Sequence, residues 1–217
     1  MPANNFPVIK LTGITSPNAN LLPLNGVDLS KPMGIVKIDF GDIAAPDSTW
    51  NVADTVSDNY GGGVTSEVPE FQALDTLGNL TRLFVTTDEL FFGNSDPTGD
   101  AAAEGQDYIF LAVPGSLAAY PSTGALTASI YLDNLDPGKT YDLEMLARRD
   151  ATGNRTAEYH INDGLTKIVN AASNTTTTTW ASVSPDENGR IKLTIDKTNY
   201  QTAPGFGYIN WLTVSEN

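Results

Sequence analysis

Residues 125–162 read ALTASIYLDNLDPGKTYDLEMLARRDATGNRTAEYHIN. Two runs of alternating apolar and polar residues flank Asp136-Pro137-Gly138-Lys139, a strong turn signal. A third run follows the polar loop Asp150–Asn154. Alternation with period two places one face of each run inward, so the stretch predicts antiparallel strands of a β-sandwich. Sandwiches of this kind serve as platforms for recognition, with function carried on loops.

The same grammar extends outward. Ile35–Phe40, Leu80–Thr86, Leu90–Phe92, Tyr108–Ala112, Ile168–Asn170, Arg190–Ile195 and Phe206–Val214 read as strands, and threonine suits a strand over Thr175–Thr179 with Trp180. Beyond it, Trp180, Ser182 and Ser184 alternate with Ala181 and Val183. Pro185–Gly189 is a turn, 51–66 a long irregular loop containing Gly61-Gly-Gly63, and 93–107 an acidic loop. With 19 Gly and 13 Pro scattered along the chain, no stretch of 12 residues shows helical periodicity. The nearest candidate, around Pro114–Tyr120, is one or two turns. The expectation is one all-β domain, an antiparallel sandwich of jelly-roll type over 35–217.

Residues 1–34 read differently. They hold five of the 13 prolines, at 2, 7, 17, 23 and 32. Phe6, Val8, Ile9, Leu11 and the leucines at 21, 22 and 24 are too apolar for a solvated leader, yet such a segment cannot bury a core of its own. It is expected to be an extended arm docked on the sandwich or on another chain.

Charge narrows the partners. Twelve basic against 26 acidic residues give a net charge of −14, which repels phosphate backbones and anionic membranes. Neutral glycans, cations and basic protein surfaces stay open. The absence of cysteine excludes thiol catalysis, thiolate-bound zinc and disulfides. The opening MPANNFPVIKLTG has no basic and apolar regions of a secretory signal, and no apolar run approaches the ~18 residues of a membrane helix. An exterior destination then means either that a signal has been removed or that the protein travels by another route, such as assembly into a virus particle.

Several signals together resemble the galactose-binding-like jelly-roll modules, which are related to carbohydrate-binding modules. They are Val36-Lys-Ile-Asp-Phe-Gly41 with Trp50 soon after, Leu135–Tyr141, and Arg149 through Asn154-Arg155-Thr156 to Tyr159. Ser184–Ile191 and Gly207–Trp211 complete the set, and the resemblance covers 35–217. It implies a ligand bound at loops on one end of the sandwich or across a concave face, with a structural calcium common.

The single histidine, His160, sits in a strand, and no Gly-x-Ser-x-Gly elbow accompanies it, so a Ser-His-Asp triad is disfavoured. Glu144 and Glu158 lie on strands where a glycosidase pair could sit, or where they could face Arg148, Arg149 or Arg155 across strands. Calcium needs six to eight oxygen ligands. The candidates are Asp39, Asp42, Asp96 and Asp100, with Asp47 beside the first two. Aromatic rings stack on the apolar face of a pyranose. Trp50 and Tyr60, and Tyr120 before Pro121, lie in loops with little core to fill, whereas Trp180 and Trp211 lie in strands and read as core. Arg149, Asn154 and Arg155 flank one polar loop and could hydrogen-bond sugar hydroxyls. Sequons at Asn79, Asn154 and Asn174 matter only in a eukaryotic secretory route.

The sequence therefore predicts a non-catalytic, carbohydrate-binding recognition module at an extracellular or virion surface, with Trp50, Tyr60, Arg149, Asn154 and Arg155 as ligand contacts. The alternative is a structural bacteriophage protein, a capsid decoration, spike or fibre subunit, that assembles with itself or a protein partner through residues 1–34.

Overall fold

In a computed structural model the described residues are 27, 31–40, 47–53, 71–87, 91–95, 107–113 and 125–217. Most of the arm, the segment 114–120 and Tyr60, Asp42, Asp96 and Asp100 lie outside them. The strands run in order β1 (Val36–Phe40), β2 (Asn51–Ala53), β3 (Phe71–Leu74), β4 (Leu80–Thr87), β5 (Phe92–Ser95), β6 (Asp107–Ala112) and β7 (Thr127–Asp133). They continue as β8 (Tyr141–Leu146), β9 (Thr156–Ile161), β10 (Leu165–Asn170), β11 (Thr178–Val183), β12 (Ile191–Asp196), β13 (Phe206–Ile209) and β14 (Trp211–Glu216).

Two sheets face each other. One has the order β11-β8-β14-β1-β2, the other β10-β9-β12-β7-β4-β3, and a small third sheet, β13-β6-β5, caps one end. From β7 onward the chain passes back and forth between the large sheets, the alternation of a jelly roll. Inward positions are those the period-two pattern selects. Val36, Ile38 and Phe40 meet Tyr141, Leu143, Met145, Leu212 and Val214 on one side. Ile130, Leu132, Tyr159, Ile161, Leu193 and Ile195 stand on the other, all within one buried cluster. Among the described residues no helix is long and apolar enough to cross a membrane.

The sequence reading has no strand at β3 and a loop where β5 runs on to Ser95, and three further details depart from it. First, 51–53 is not loop. It forms β2, which pairs with β1 in parallel, the exception in sheets whose other pairs are antiparallel. Asn51 explains why so short a strand holds. Its Nδ2 donates to the carbonyls of Lys37 (2.9 Å) and Leu74 (2.8 Å), and its Oδ1 accepts the Leu74 N–H (2.8 Å). One side chain stitches the edge strands of both sheets together. Second, β11 does not alternate simply. A bulge between Trp180 and Val183 turns both inward, leaves Ala181 and Ser182 exposed, and puts Ser182 at φ 54°. The Asp142 carboxylate accepts the Ser182 N–H at 2.8 Å, which with the Asn217 amide holds its pKa below the usual range. Third, Trp211 is buried but stands on the outer face of its sheet, opposite Asp39.

The turn that decides the fold is built locally. Lys139 N–H donates to the Asp136 carbonyl (3.1 Å) and Gly138 N–H to the Asp136 carboxylate (2.9 Å). The fully buried Tyr141 hydroxyl accepts the Asp136 N–H at 2.9 Å. The turn then packs on Pro185–Gly189, where Leu135 N–H donates to the Gly189 carbonyl at 2.9 Å. Gly189 has φ +77°, and a Cβ there would lie 2.3 Å from the Leu135 carbonyl oxygen. Gly189→Ala is therefore expected to destabilise the fold by about 2–3 kcal/mol. Chemical denaturation checks this, with Gly78→Ala as the comparison, since Gly78 shares the positive φ but has open space around it.

Candidate functional site

The end of the sandwich opposite these turns gathers the loops 147–155, 170–177 and 197–205. Backbone bonds latch them together. Arg149 N–H donates to the Ala171 carbonyl (2.8 Å), Ser173 N–H to Arg149 (2.8 Å) and Ala171 N–H to Arg155 (3.0 Å). Isolated bridges join Arg149 to Ala172 and Asn154 to Gly205.

Asn154 is the bracket of this end. Its Nδ2 donates to the carbonyls of Tyr200 and Thr202, each at 3.0 Å. Its Oδ1 accepts from Thr156 N–H and Lys197 Nζ, each at 3.4 Å. Both amide donors and the carbonyl oxygen are spent inside the protein, so this side chain acts by holding the loops. Gly205 opposite must be glycine: a Cβ would lie 2.8 Å from the Thr202 carbonyl and 3.2 Å from the Asn154 amide.

Under the loops lies an aromatic cluster on the small sheet. Tyr108, Phe110, Phe206 and Tyr208 are buried, with ring centroids 5.0–6.1 Å apart. The two arginines lie on it. Arg149 sits 5.2 Å over Tyr108, and Arg155 sits 4.5 Å over Phe206 and 5.9 Å from Tyr208. Both are partly exposed. The structure thus brings Arg149, Asn154 and Arg155 together. The loop 147–155 is anchored below by Tyr159, whose buried hydroxyl donates to the Tyr208 carbonyl at 2.7 Å.

Trp50 belongs to a separate group on the outer face of the five-stranded sheet. Asp47 sets it up: its carboxylate accepts Thr49 N–H (2.7 Å) and the Thr49 hydroxyl (2.5 Å), bonds that hold its pKa low. The partly exposed Trp50 ring stands edge-on to Trp211 at 5.9 Å and 69°, with Lys37 Nζ 5.1 Å above. Packing on Trp211 anchors the loop and leaves part of the indole to solvent. Asp39 is buried on the neighbouring strand. Of the calcium candidates Asp39 and Asp47 are described, and among the described residues no group of three acids or histidines is placed to hold a metal ion; Asp42, Asp96 and Asp100 lie outside them.

His160 lies on the outer face of the six-stranded sheet. Its Nε2 is 3.6 Å from both Glu158 and Asp196, and its Nδ1 is 2.8 Å from the Thr166 hydroxyl. That hydroxyl also lies 3.2 Å from the Gly164 carbonyl, to which it can donate. The neighbours of Nε2 are the carboxylates of Glu158 and Asp196, not a hydroxyl it could activate. Glu158 does not face an arginine; it accepts from the Asn199 amide at 2.8 Å and pairs across strands with Ile168 and Asp196. Glu144 pairs with Thr179 and Thr213.

The sequence reading missed Lys197, hidden as the residue after an alternating strand. It is completely buried and donates to the Thr156 carbonyl and to Asn154. Burial chiefly, and then the Arg155 charge, bring its pKa down from 10.5 to about 8. The only signal for it was the polar run Lys197–Gln201 after β12.

No family model matches the chain, and no curated protein matches it. Solved structures show a likeness in the strand arrangement. An arabinose-bound α-L-arabinofuranosidase aligns over 86% of this chain at 13% identity and a TM-score of 0.37, and the chain spans 31% of that enzyme's length. A family 35 carbohydrate-binding module from Clostridium thermocellum aligns over 60% of this chain and 90% of its own, at 12% identity and a TM-score of 0.34. A galactose complex of the family 32 module of C. perfringens NanJ aligns over 60% and 93%, at 19% and 0.32.

Lys197 makes stability pH-dependent. Between its folded value of about 8 and its unfolded value of 10.5, the unfolded chain holds the proton that the folded chain has released. Unfolding free energy therefore rises with pH across that window, by up to about 3 kcal/mol. Melting curves from pH 7 to about 9.5, below the range where the buried Tyr141 and Tyr159 act in the opposite direction, are expected to show this rise for the native chain, and its absence from Lys197→Met.

Proposed function

We propose that this protein is a non-catalytic recognition module for glycans, displayed at an exterior surface, with its ligand docking on the end that carries Arg149 and Arg155. One observation carries the reading: both guanidinium groups are held on aromatic rings, partly exposed, at the rim of interlocked loops. Donors fixed before binding lose little freedom on contact with hydroxyls. The acidic chain suits neutral or sparsely charged sugars better than polyanions.

A glycan array tests this, run with calcium and again with chelator. The expected result is binding to one glycan class, weakened at least tenfold by Arg149→Ala. Loss in Trp50→Ala with Arg149→Ala unaffected would move the site to the outer sheet face. Folded protein that binds no glycan overturns the reading. Loss under chelator alone would support a calcium requirement.

The arm supports a second role, assembly with a partner or another copy. Its last residues are held on the sandwich: Met33 is buried, and its N–H donates to the Glu216 carboxylate at 3.1 Å. If the arm assembles the protein, removing residues 1–30 lowers the mass measured by light scattering to that of a monomer. An unchanged mass rejects that role.

A further inference from the structure

The two large sheets end on the strands β11, β2, β10 and β3. Three of these edges are blunted. β2 has three residues, β3 loses register between Gln72 and Leu74, and β11 carries the bulge between Trp180 and Val183. β10 is the exception. Its six residues pair with β9 in unbroken register, and all but Val169 are exposed. Leu165 is 54% exposed and Ile168 63%. The side of the sandwich where β10 and β11 lie together also differs from the rest of the chain in charge. From Gly164 to Pro185, a stretch that covers both strands, there is no acid and one base, Lys167, in a chain with 26 acids.

In an antiparallel ladder the N–H and C=O of one residue face one neighbour, and those of the next residue face the other. Ala171, opposite Arg155 in this register, donates its N–H to the Arg155 carbonyl at 3.0 Å, so Ala171, Val169, Lys167 and Leu165 turn their backbone groups to β9. The far side of β9 agrees, since Asn162 N–H donates to the Lys192 carbonyl of the β12 side at 2.9 Å. The backbone groups of Thr166, Ile168 and Asn170 therefore point out of the open edge, where they have no partner among the described residues. This row is self-complementary. About a two-fold axis through Ile168, normal to the sheet, Ile168 faces its counterpart, Thr166 faces the partner's Asn170, and each pair exchanges both backbone bonds. The two exposed isoleucines cover each other, and Lys167 faces the partner's Val169. The neighbouring register, centred on Lys167, would oppose two lysines. The axis keeps the two layers in line, so the β11 edges also meet across the acid-free side.

We propose that two copies of this protein pair edge to edge through β10, joining their six-stranded sheets into one. Charge selects the occupant: two chains of net charge −14 approach with least repulsion where their acids are absent, and this is such a side. A short strand pair buries less than the ~1,200 Å² of a stable complex, so it forms at about 0.1 mM and above rather than in dilute solution. Copies crowded on a surface reach such concentrations, and pairing there would double the sites each partner offers. The pairing is separate from the arm and does not rest on the glycan reading.

The test is sedimentation of the full chain from about 10 µM to about 1 mM, with amide NMR at both ends of that range. The expected result is a mass that rises toward a dimer, and rises sooner in added salt, which screens the two net charges. The Thr166 and Ile168 amide signals are expected to shift with concentration more than those of Lys167 and Val169, which are already bonded to β9. Ile168→Lys and Ile168→Glu, at an exposed position that spares the core, are each expected to weaken association at least tenfold. An equimolar mixture of the two is expected to restore it, because this register opposes residue 168 to itself. A monomer throughout overturns the proposal. Association that survives in both variants, or that leaves the Thr166 and Ile168 signals unmoved, assigns assembly to another surface, the arm included, and overturns it too. Variants that fail to recover on mixing overturn the two-fold pairing. The NMR measurement uses the native chain and does not depend on how a variant folds.

Discussion

The structure turns on Asn210, a wholly buried residue between β13 and β14. Here the chain leaves the small capping sheet and enters the five-stranded sheet, so both ladders break at one residue. Its N–H donates to the Leu146 carbonyl (3.0 Å), its carbonyl accepts the Phe40 N–H (2.8 Å), and its side-chain oxygen accepts the Arg148 N–H (2.6 Å). An apolar residue here would leave a backbone donor unsatisfied in the interior, which costs about 1–3 kcal/mol. Asn210 thereby ends β1, β8 and β13 at the same point. It also sets where the loop 147–155 departs, and so where Arg149 meets the aromatic cluster.

At the turn end cations meet acids, with Arg190 also over the Tyr131 ring. At the turn end, Glu216, nearly buried, is flanked by Arg82 and Lys139 and takes the Met33 N–H, which closes the sandwich there. At the loop end, rings take that place under Arg149 and Arg155. A ring face attracts a cation without satisfying its N–H groups, which lie in the guanidinium plane. Arg155 spends Nη1 on the Asn154 carbonyl at 3.3 Å, which adds a fixed bond to its stack on Phe206. Ion pairs tie the turn end, and stacked cations with interlocked backbone bonds tie the loop end.

What could be read from the sequence follows the range of the interactions. The turn Asp136–Lys139 depends on neighbours within five residues, Tyr141 included, and its residue types announce it. The core faces of β7, β8, β9 and β12 follow from strict alternation. The β11 bulge was hidden, because Ser182 is held by Asp142, 40 residues away. Strand β2 was hidden too, since Asn51 earns its place by bonding Leu74 across 23 residues in a stretch rich in loop formers. At the site, the polar composition of 149–155 marked the right loop. It could not separate Asn154, whose amide is committed to carbonyls 46 and 48 residues on, from Arg155, whose guanidinium lies on the Phe206 ring. Lys197 carried no mark, because a lysine after a strand ordinarily faces water.

Lys197 also ties the loop end together from below. Its ammonium is held by the Thr156 carbonyl at the start of β9 and by Asn154, which in turn holds Tyr200 and Thr202. The charge sits in the interior at a cost that its lowered pKa records, and it ties β12 to β9 and to the two loops above them. A methionine would fill the same volume at lower desolvation cost but would tie nothing. A costly buried cation serving only the core would be a poor solution, since well-packed apolar residues of similar volume often match or exceed a buried charge in stability. Its position under Arg155 and Asn154 makes sense if the loops must keep one arrangement while their outer donors stay open to a ligand.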